Sequence, residues 1–123
     1  MDDLAHGKRL RKGRFSETGR IYLLTSVTRD RQRIFDDLHF ARCVVQELAA
    51  ADKSGLTKTF CYVVMPDHFH WLVQLEHIDL ALLMQRVKSC ATNRIRQIAG
   101  QAINVWQRGY HDHASVAMKI CAV

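Results

Sequence analysis

The chain has 123 residues and a mass of 14.2 kDa, the size of a single domain with one hydrophobic core. Apolar residues make up 48% and charged residues 24%, close to the globular average, which excludes a disordered chain and a mini-protein built on disulfides. Lys and Arg number 18 against 12 Asp and Glu, so the net charge is +6 and favours a polyanionic partner such as nucleic acid.

The sequence also lacks the features of a membrane-spanning protein and of a secreted one. No apolar stretch reaches the roughly 18 residues of a membrane span, and the N-terminal segment lacks the apolar core of a signal peptide, so we expect a cytoplasmic protein without a membrane partner. The cysteines form no Cys-x-x-Cys pair, and Cys43, Cys61 and Cys90 lie in segments with apolar periodicity, whereas Cys121 follows them near the end of the chain. We therefore predict reduced core thiols rather than disulfides or a zinc ribbon.

The chain begins with a basic N-terminal arm, residues 1–20, in which cationic side chains alternate with glycines. We expect this arm to contact the phosphates of a nucleic acid; a solvated tail is the alternative. Its candidate binding residues are Arg9, Arg11, Lys12 and Arg14.

After the arm, the sequence predicts a strand, a helix and a hairpin. Residues 21–28 are aliphatic, aromatic or β-branched, as in a strand. Asp36 and Asp37 precede an amphipathic helix that ends at Lys53-Ser54-Gly55. Residues 57–65 and 68–75 read as two strands joined at the tight turn Pro66-Asp67.

A second helix and a last strand complete the predicted fold. Asp79 is a candidate N-cap, Gly100 a stop, and an apolar stripe runs between them from Leu80 to Ile98. A short last strand is expected around residues 105–110. The resulting α+β order, β-α-β-β-α-β, is the ferredoxin-like arrangement, an antiparallel sheet with two helices on one face. The other face remains open for function.

A pair of histidines in the third strand carries the clearest chemical signal. Strand alternation assigns Phe69 and Trp71 to the helix-covered face and His68 and His70 together to the open face. Two imidazoles at this spacing form a good two-ligand arm for a divalent metal ion, although a third ligand is then needed. A pair of surface or hydrogen-bonded histidines without a metal is the alternative.

Two other groups are candidates for nucleic-acid contacts. His111, Asp112 and His113 form a cluster that provides either an accessory ligand or a polar loop. The polar face of the second helix has more basic than acidic residues. This excess favours contacts with a nucleic-acid backbone over an ordinary solvated surface. The candidate DNA-binding residues beyond the arm are Lys88, Arg94, Arg96 and Arg108.

At this point the sequence resembles a known family. The segment 62–75, YVVMPDHFHWLVQL, is similar to the signature of single-tyrosine HUH transposases, in which a hydrophobic residue separates two histidines. The segments 21–30, 86–90 and 106–114 (IYLLTSVTRD, RVKSC and WQRGYHDHA) are most similar to the REP-associated tyrosine transposases. The resemblance covers about residues 13–114 and makes 21–114 the expected HUH domain.

The resemblance implies a ferredoxin-like fold and binding of single-stranded, hairpin-forming DNA. It also implies DNA transposition through metal-assisted cleavage, in which a tyrosine attacks the phosphodiester and becomes linked to the 5′ phosphate. Mg²⁺ or Mn²⁺ held by His68 and His70 would act as a Lewis acid on the scissile phosphate. The covalent phosphotyrosine conserves the bond energy for rejoining.

The sequence departs from the family pattern after Ala114. The relatives continue into a further helix that carries the nucleophilic tyrosine and the third metal ligand, whereas residues 115–123 form an atypical short tail without tyrosine. Tyr110 is the only substitute nucleophile. We therefore expect a C-terminally truncated transposase that binds DNA without cleaving it by the covalent route.

Two other functions remain open from the sequence. An RNA-recognition module has the same element order, although it normally presents aromatic residues where this chain has His68 and His70. A metal-dependent phosphodiesterase with an activated water, and His111 or His113 as an extra ligand, is the third reading.

Overall fold

The computed structural model describes residues 19–107 and the strand 113–116. Its elements are β1 (Ile21–Val27), α1 (Leu38–Lys53), β2 (Thr57–Met65), β3 (His68–Leu75), α2 (Leu80–Ala99) and β4 (His113–Val116). Two 3₁₀ turns, Arg29–Arg31 and Ile34–Asp36, lie between β1 and α1.

The strands form one antiparallel sheet in the order β2-β3-β1-β4. The side chains of one sheet face and of both helices enclose a single core, whose largest fully buried members include Trp71, Tyr22 and Phe69. The predicted α+β, ferredoxin-like arrangement is therefore confirmed. Neither α1 nor α2 is both long and apolar enough to cross a membrane.

Both helices begin and end where local chemistry predicts. The carboxylate of Asp37 accepts a hydrogen bond from the His39 amide (2.9 Å), and Asp79 caps α2 in the same way. Gly100 ends α2 in the left-handed conformation (φ 70°), which costs glycine little. The predicted stripe of α2 is buried as far as Ile95, but Ile98 is exposed, because it lies in the last turn beyond the edge of the core.

A bulge in β2 changes which residues face the core. Thr59 pairs with Val73 and Cys61 with Leu72, so Phe60 is an extra residue with no counterpart on β3. The bulge reverses the alternation, so Cys61 lies on the open face, whereas the sequence predicted it in the core. Cys43 is buried as predicted, Cys90 is half-buried, and Cys121 lies outside the described residues.

The last strand lies later in the chain than predicted. Residues 101–107 contain no strand, and β4 occupies His113–Val116, opposite Tyr22 to Thr25 of β1. The apolar residues that suggested an earlier strand serve packing instead. Trp106 makes only a single bridge to Thr28, and its ring packs at 5.7 Å from the rings of Phe35 and Phe69.

Candidate metal and nucleic-acid site

His68 and His70 lie side by side on the open face of β3, as strand alternation predicts. The intervening Phe69 and the following Trp71 are fully buried under the helices, whereas 21% of the His68 side chain is exposed. The two imidazole centroids are 4.8 Å apart, and the rings are nearly perpendicular, at 78°. Two imidazoles whose centres lie this close can each contribute one ring nitrogen to a shared ion.

Asp67 fixes the ring of His68. Its Oδ1 lies 2.7 Å from His68 Nδ1, and its Oδ2 accepts a hydrogen bond from Arg31 Nε at 2.8 Å. The hydrogen bond from His68 is the main cause that lowers the pKa of Asp67; desolvation opposes this effect and Arg31 reinforces it. Because an ionised carboxylate can only accept hydrogen bonds, the Nδ1 of His68 carries the proton and its Nε2 lone pair is available to a metal.

Thr25 performs a related role for His70. Thr25 lies directly opposite His70 in the pairing of β1 with β3, and its Oγ1 is 2.9 Å from His70 Nδ1. A hydroxyl can donate or accept, so this contact orients the ring without imposing a tautomer. The two rings thus have different supports, a charged carboxylate for His68 and a neutral hydroxyl for His70.

The donor set fits part of a divalent-ion site. Imidazole nitrogens whose other ring nitrogen is hydrogen-bonded are typical metal ligands. Among the side chains that the structure describes, no third His, Cys, Asp or Glu joins the pair in a group able to hold a metal. Two protein ligands leave positions for water and phosphate oxygens, which Mg²⁺ and Mn²⁺ prefer.

Neither tyrosine within residues 19–107 faces the histidine pair. Tyr22 is fully buried in the core. Tyr62 is 47% exposed, but it pairs with Trp71 and so belongs to the face opposite His68 and His70. A phenol on either residue is therefore on the wrong side of the sheet to attack a phosphate held at the pair.

The predicted basic residues of α2 have partners within the fold. Arg94 donates hydrogen bonds to Glu47 and Gln46 of α1, and Arg96 Nε donates to the carbonyl of Ile103 at 3.0 Å. The Lys88 ammonium lies 5.5 Å from the centre of the Trp106 ring. These three side chains stabilise the helix layer, and their contact with DNA stays a prediction.

Several candidate residues of the sequence lie outside the described part of the chain. They are the arm residues Arg9, Arg11, Lys12 and Arg14, together with Arg108, Tyr110, His111 and Asp112. His113 has a described backbone position only: it pairs with Thr25, which on its other side pairs with His70.

Sequence reasoning missed the supporting residues of the site. Asp67, Thr25 and Arg31 hold or adjoin the histidines, but Thr25 and Arg31 are 45 and 36 residues from their partners in sequence. Only the position of Asp67, immediately before His68, was available as a signal. The sequence also predicted no role for Gln107, whose side-chain oxygen accepts a hydrogen bond from the Asp30 amide at 3.1 Å.

The comparison with protein families identifies the domain. Residues 18–118 match the family described as IS200-like transposases, and this match spans most of the chain. The chain belongs to the IS200-like transposase family. Among curated proteins, none matches the sequence significantly.

Solved structures share the fold of this transposase domain. One is a REP-associated tyrosine transposase bound to a REP hairpin, with 18% identity and a TM-score of 0.61; the match covers 85% of this chain and 61% of that one. Another is a protein of Deinococcus radiodurans R1 described as a transposase, with 17% identity and a TM-score of 0.67, covering 88% and 86% of the two chains. The domain thus spans about three fifths of the length of the hairpin-bound transposase.

Proposed function

We propose that this transposase domain binds single-stranded, hairpin-forming DNA on its open sheet face and holds Mg²⁺ or Mn²⁺ between His68 and His70. The observation that carries the proposal is the adjacent pair of imidazoles, each hydrogen-bonded at Nδ1 on the face away from the helices. The solved relative bound to a REP hairpin supports the choice of DNA.

The chemistry of the site follows from its ligands. A divalent ion bound there would polarise the scissile phosphate and offset the charge that develops on it. His68 and His70 hold one side of the ion, while Asp67 and Thr25 keep the rings from turning away. The buried Phe69 and Trp71 fix the strand beneath them, so the ligands stand on a rigid element.

The surroundings of the pair suit nucleobases. Leu23, Val63 and Met65 expose apolar side chains; Val63 is opposite His70 and Met65 is opposite His68. Single-stranded DNA presents its bases as well as its phosphates, so apolar side chains can pack against bases while the ion meets the backbone. The basic residues of the arm, with Arg108, would neutralise further phosphates. Lys88, Arg94 and Arg96 belong to α2, on the helix-covered side of the sheet, so their predicted phosphate contacts would require a strand that continues around the domain.

We further propose that neither tyrosine of residues 19–107 forms the phosphotyrosine that the family resemblance implies. Tyr22 is buried and Tyr62 belongs to the opposite sheet face, which leaves Tyr110 as the only substitute nucleophile. Among the residues of this sequence, Tyr110 is therefore the candidate for covalent cleavage.

Binding is tested with three oligonucleotides of equal sequence: a hairpin-bearing single DNA strand, its duplex and the corresponding RNA. We expect the tightest binding to the single DNA strand by fluorescence anisotropy. Preference for the RNA would favour an RNA-recognition module and overturn the proposal.

Metal binding is tested separately. Mn²⁺ binding, followed by electron paramagnetic resonance, should be lost in both His68→Ala and His70→Ala.

Cleavage is tested by denaturing electrophoresis of a labelled hairpin strand incubated with the domain and Mn²⁺. We expect no covalent protein–DNA band. A band that disappears in Tyr110→Phe would show that Tyr110 is the nucleophile. Cleaved strand without a covalent band would favour hydrolysis by an activated water.

A further inference from the structure

The loop between β1 and α1 places an arginine next to the candidate metal site. Val27, the last residue of β1, pairs with His68, and the chain then turns through Arg29–Arg31. Arg31 shares the Asp67 carboxylate with His68, at 2.8 Å and 2.7 Å respectively. One carboxylate therefore joins an exposed guanidinium to a proposed metal ligand.

The backbone of this loop is held in an unfavourable conformation. Asp30 and Arg31 have φ values of 55° and 57°, in the left-handed region that residues with a Cβ seldom adopt. Such strain persists where the surroundings over-determine it, and it is concentrated at functional sites.

Four hydrogen bonds from backbone amides of the loop to two other segments hold it in place. The Thr28 amide donates to the carbonyl of Asp67, the Arg29 amide to Val105 and the Phe35 amide to Pro66, each at 2.9 Å. The Asp30 amide donates to the Gln107 side chain. The position of Arg31 is thus imposed by the β2–β3 turn and by the segment that follows α2.

The orientation of Arg31 leaves donors for a ligand. Its Nε is bonded to Asp67, but 64% of its side chain is exposed, so the two terminal nitrogens can reach solvent. A guanidinium with a fixed plane binds phosphate oxygens in a bidentate way that lysine cannot reproduce. A carboxylate behind the arginine fixes that plane.

We propose that Arg31 binds a backbone phosphate of the single strand beside the His68–His70 site. In this proposal Asp67 fixes the orientation of both the Arg31 guanidinium and the metal-binding ring of His68. This inference rests on the proposed function, because it assigns the phosphate contact of the same site. Arg31 acts on the DNA directly, and Asp67 is a positioning residue for both neighbours.

Arg33 provides a matched control in the same segment. Its Nε also donates to an aspartate at 2.8 Å, but that aspartate is Asp36, within the loop, and the structure describes no contact between Asp36 and either histidine. Arg33→Gln therefore removes the same charge and the same kind of ion pair without breaking a hydrogen bond to Asp67 or to either histidine.

The experiment measures hairpin-strand affinity over a range of salt concentrations in the presence of Mn²⁺, for the intact chain and for Arg31→Gln, Arg31→Lys and Arg33→Gln. We expect Arg31→Gln to weaken binding about tenfold and to lower the salt slope by about 0.7, the value for one phosphate contact on a single strand. Arg31→Lys should restore the slope but not the whole affinity, and Arg33→Gln should stay within about twofold of the intact chain.

Mn²⁺ affinity without DNA separates this role from a merely structural one. We expect it to stay within about twofold in Arg31→Gln, because Asp67 still holds His68. Equal salt slopes for Arg31→Gln and Arg33→Gln, or a parallel loss of Mn²⁺ affinity, would overturn the inference. If the intact chain binds Mn²⁺ through the histidines and binds the strand, only the inference fails; if it binds neither, the proposed function fails with it.

Discussion

At the scale of single residues, the support of the histidines is the feature with the most direct chemical effect. Asp67 determines which nitrogen of His68 bears the proton, whereas Thr25 leaves this choice open for His70. The two proposed ligands are therefore expected to respond differently to loss of their hydrogen-bond partners.

Replacement of Asp67 by asparagine should weaken Mn²⁺ binding about tenfold to a hundredfold, the range found for the supporting partners of metal ligands. The amide keeps the shape of the side chain but can turn its NH₂ group towards His68 and so favour the wrong tautomer. Calorimetric titration measures the affinity, and ¹⁵N shifts of the His68 ring report the tautomer. Asp36→Asn is the control; an unchanged affinity in Asp67→Asn would contradict the assigned role.

Cys43 and Cys61 should differ strongly in reactivity, because burial raises the pKa of the Cys43 thiol while Cys61 is exposed. In a chain with Cys90→Ser and Cys121→Ser, a disulfide reagent at pH 8 is expected to modify Cys61 rapidly and Cys43 only after unfolding.

The raised pKa of the Cys43 thiol also makes the free energy of unfolding depend on pH. The unfolded thiol ionises first, so the Cys43 contribution to the free energy of unfolding decreases as the pH rises above the ordinary value of a thiol.

Equal modification rates for the two thiols under folding conditions would show that Cys43 is not buried. The matching comparison is Cys43→Ala, in which the alkaline part of the stability loss should be smaller.

At the scale of elements, Asp52 connects the end of α1 to the start of β2. Its carboxylate accepts hydrogen bonds from the hydroxyls of Thr57 (2.6 Å) and Thr59 (2.9 Å) and from the Thr59 amide (3.2 Å). Thr59 in turn accepts a hydrogen bond from the indole of the buried Trp71 at 2.8 Å. The network joins a helix, an edge strand and the core.

Asp52→Ala should lower the free energy of unfolding by about 1–3 kcal/mol, since it leaves partly buried hydroxyls without their acceptor. Urea denaturation followed by tryptophan fluorescence measures the change. Asp36→Ala, which breaks only the exposed pair with Arg33, should cost no more than about 1 kcal/mol. Equal losses in the two variants would contradict the importance of the network.

Periodicity and capping predicted the bounds of both helices and of the β2–β3 hairpin, because these depend on neighbours in sequence. The side on which Cys61 lies could not be predicted, since the bulge at Phe60 depends on pairing with β3. The last strand was misplaced because the apolar residues near Trp106 pack on Phe35 and Phe69 instead of extending the sheet. Likewise, the histidine pair was predictable from alternation, but Thr25 and Arg31 approach it only through the fold.

At the scale of the whole molecule, the net charge of +6 should appear as a strong salt dependence of DNA binding. Joint replacement of Arg9, Arg11, Lys12 and Arg14 by glutamine is expected to lower the slope by about three units, at roughly 0.7 for each contact with a single strand. Anisotropy titrations at several salt concentrations measure the slope. An unchanged slope would count against a role for the arm.

The β2–β3 hairpin also has a consequence for the order of folding. Its two strands are joined by the short turn at Pro66-Asp67, whereas β1 must find partners about fifty residues away on one side and about ninety on the other. Closure of such long loops is entropically slow, so we expect the hairpin to form first and the central strand to insert later. During synthesis, the two imidazoles proposed to bind the metal would then be held next to each other in the nascent chain before the sheet that carries them is complete.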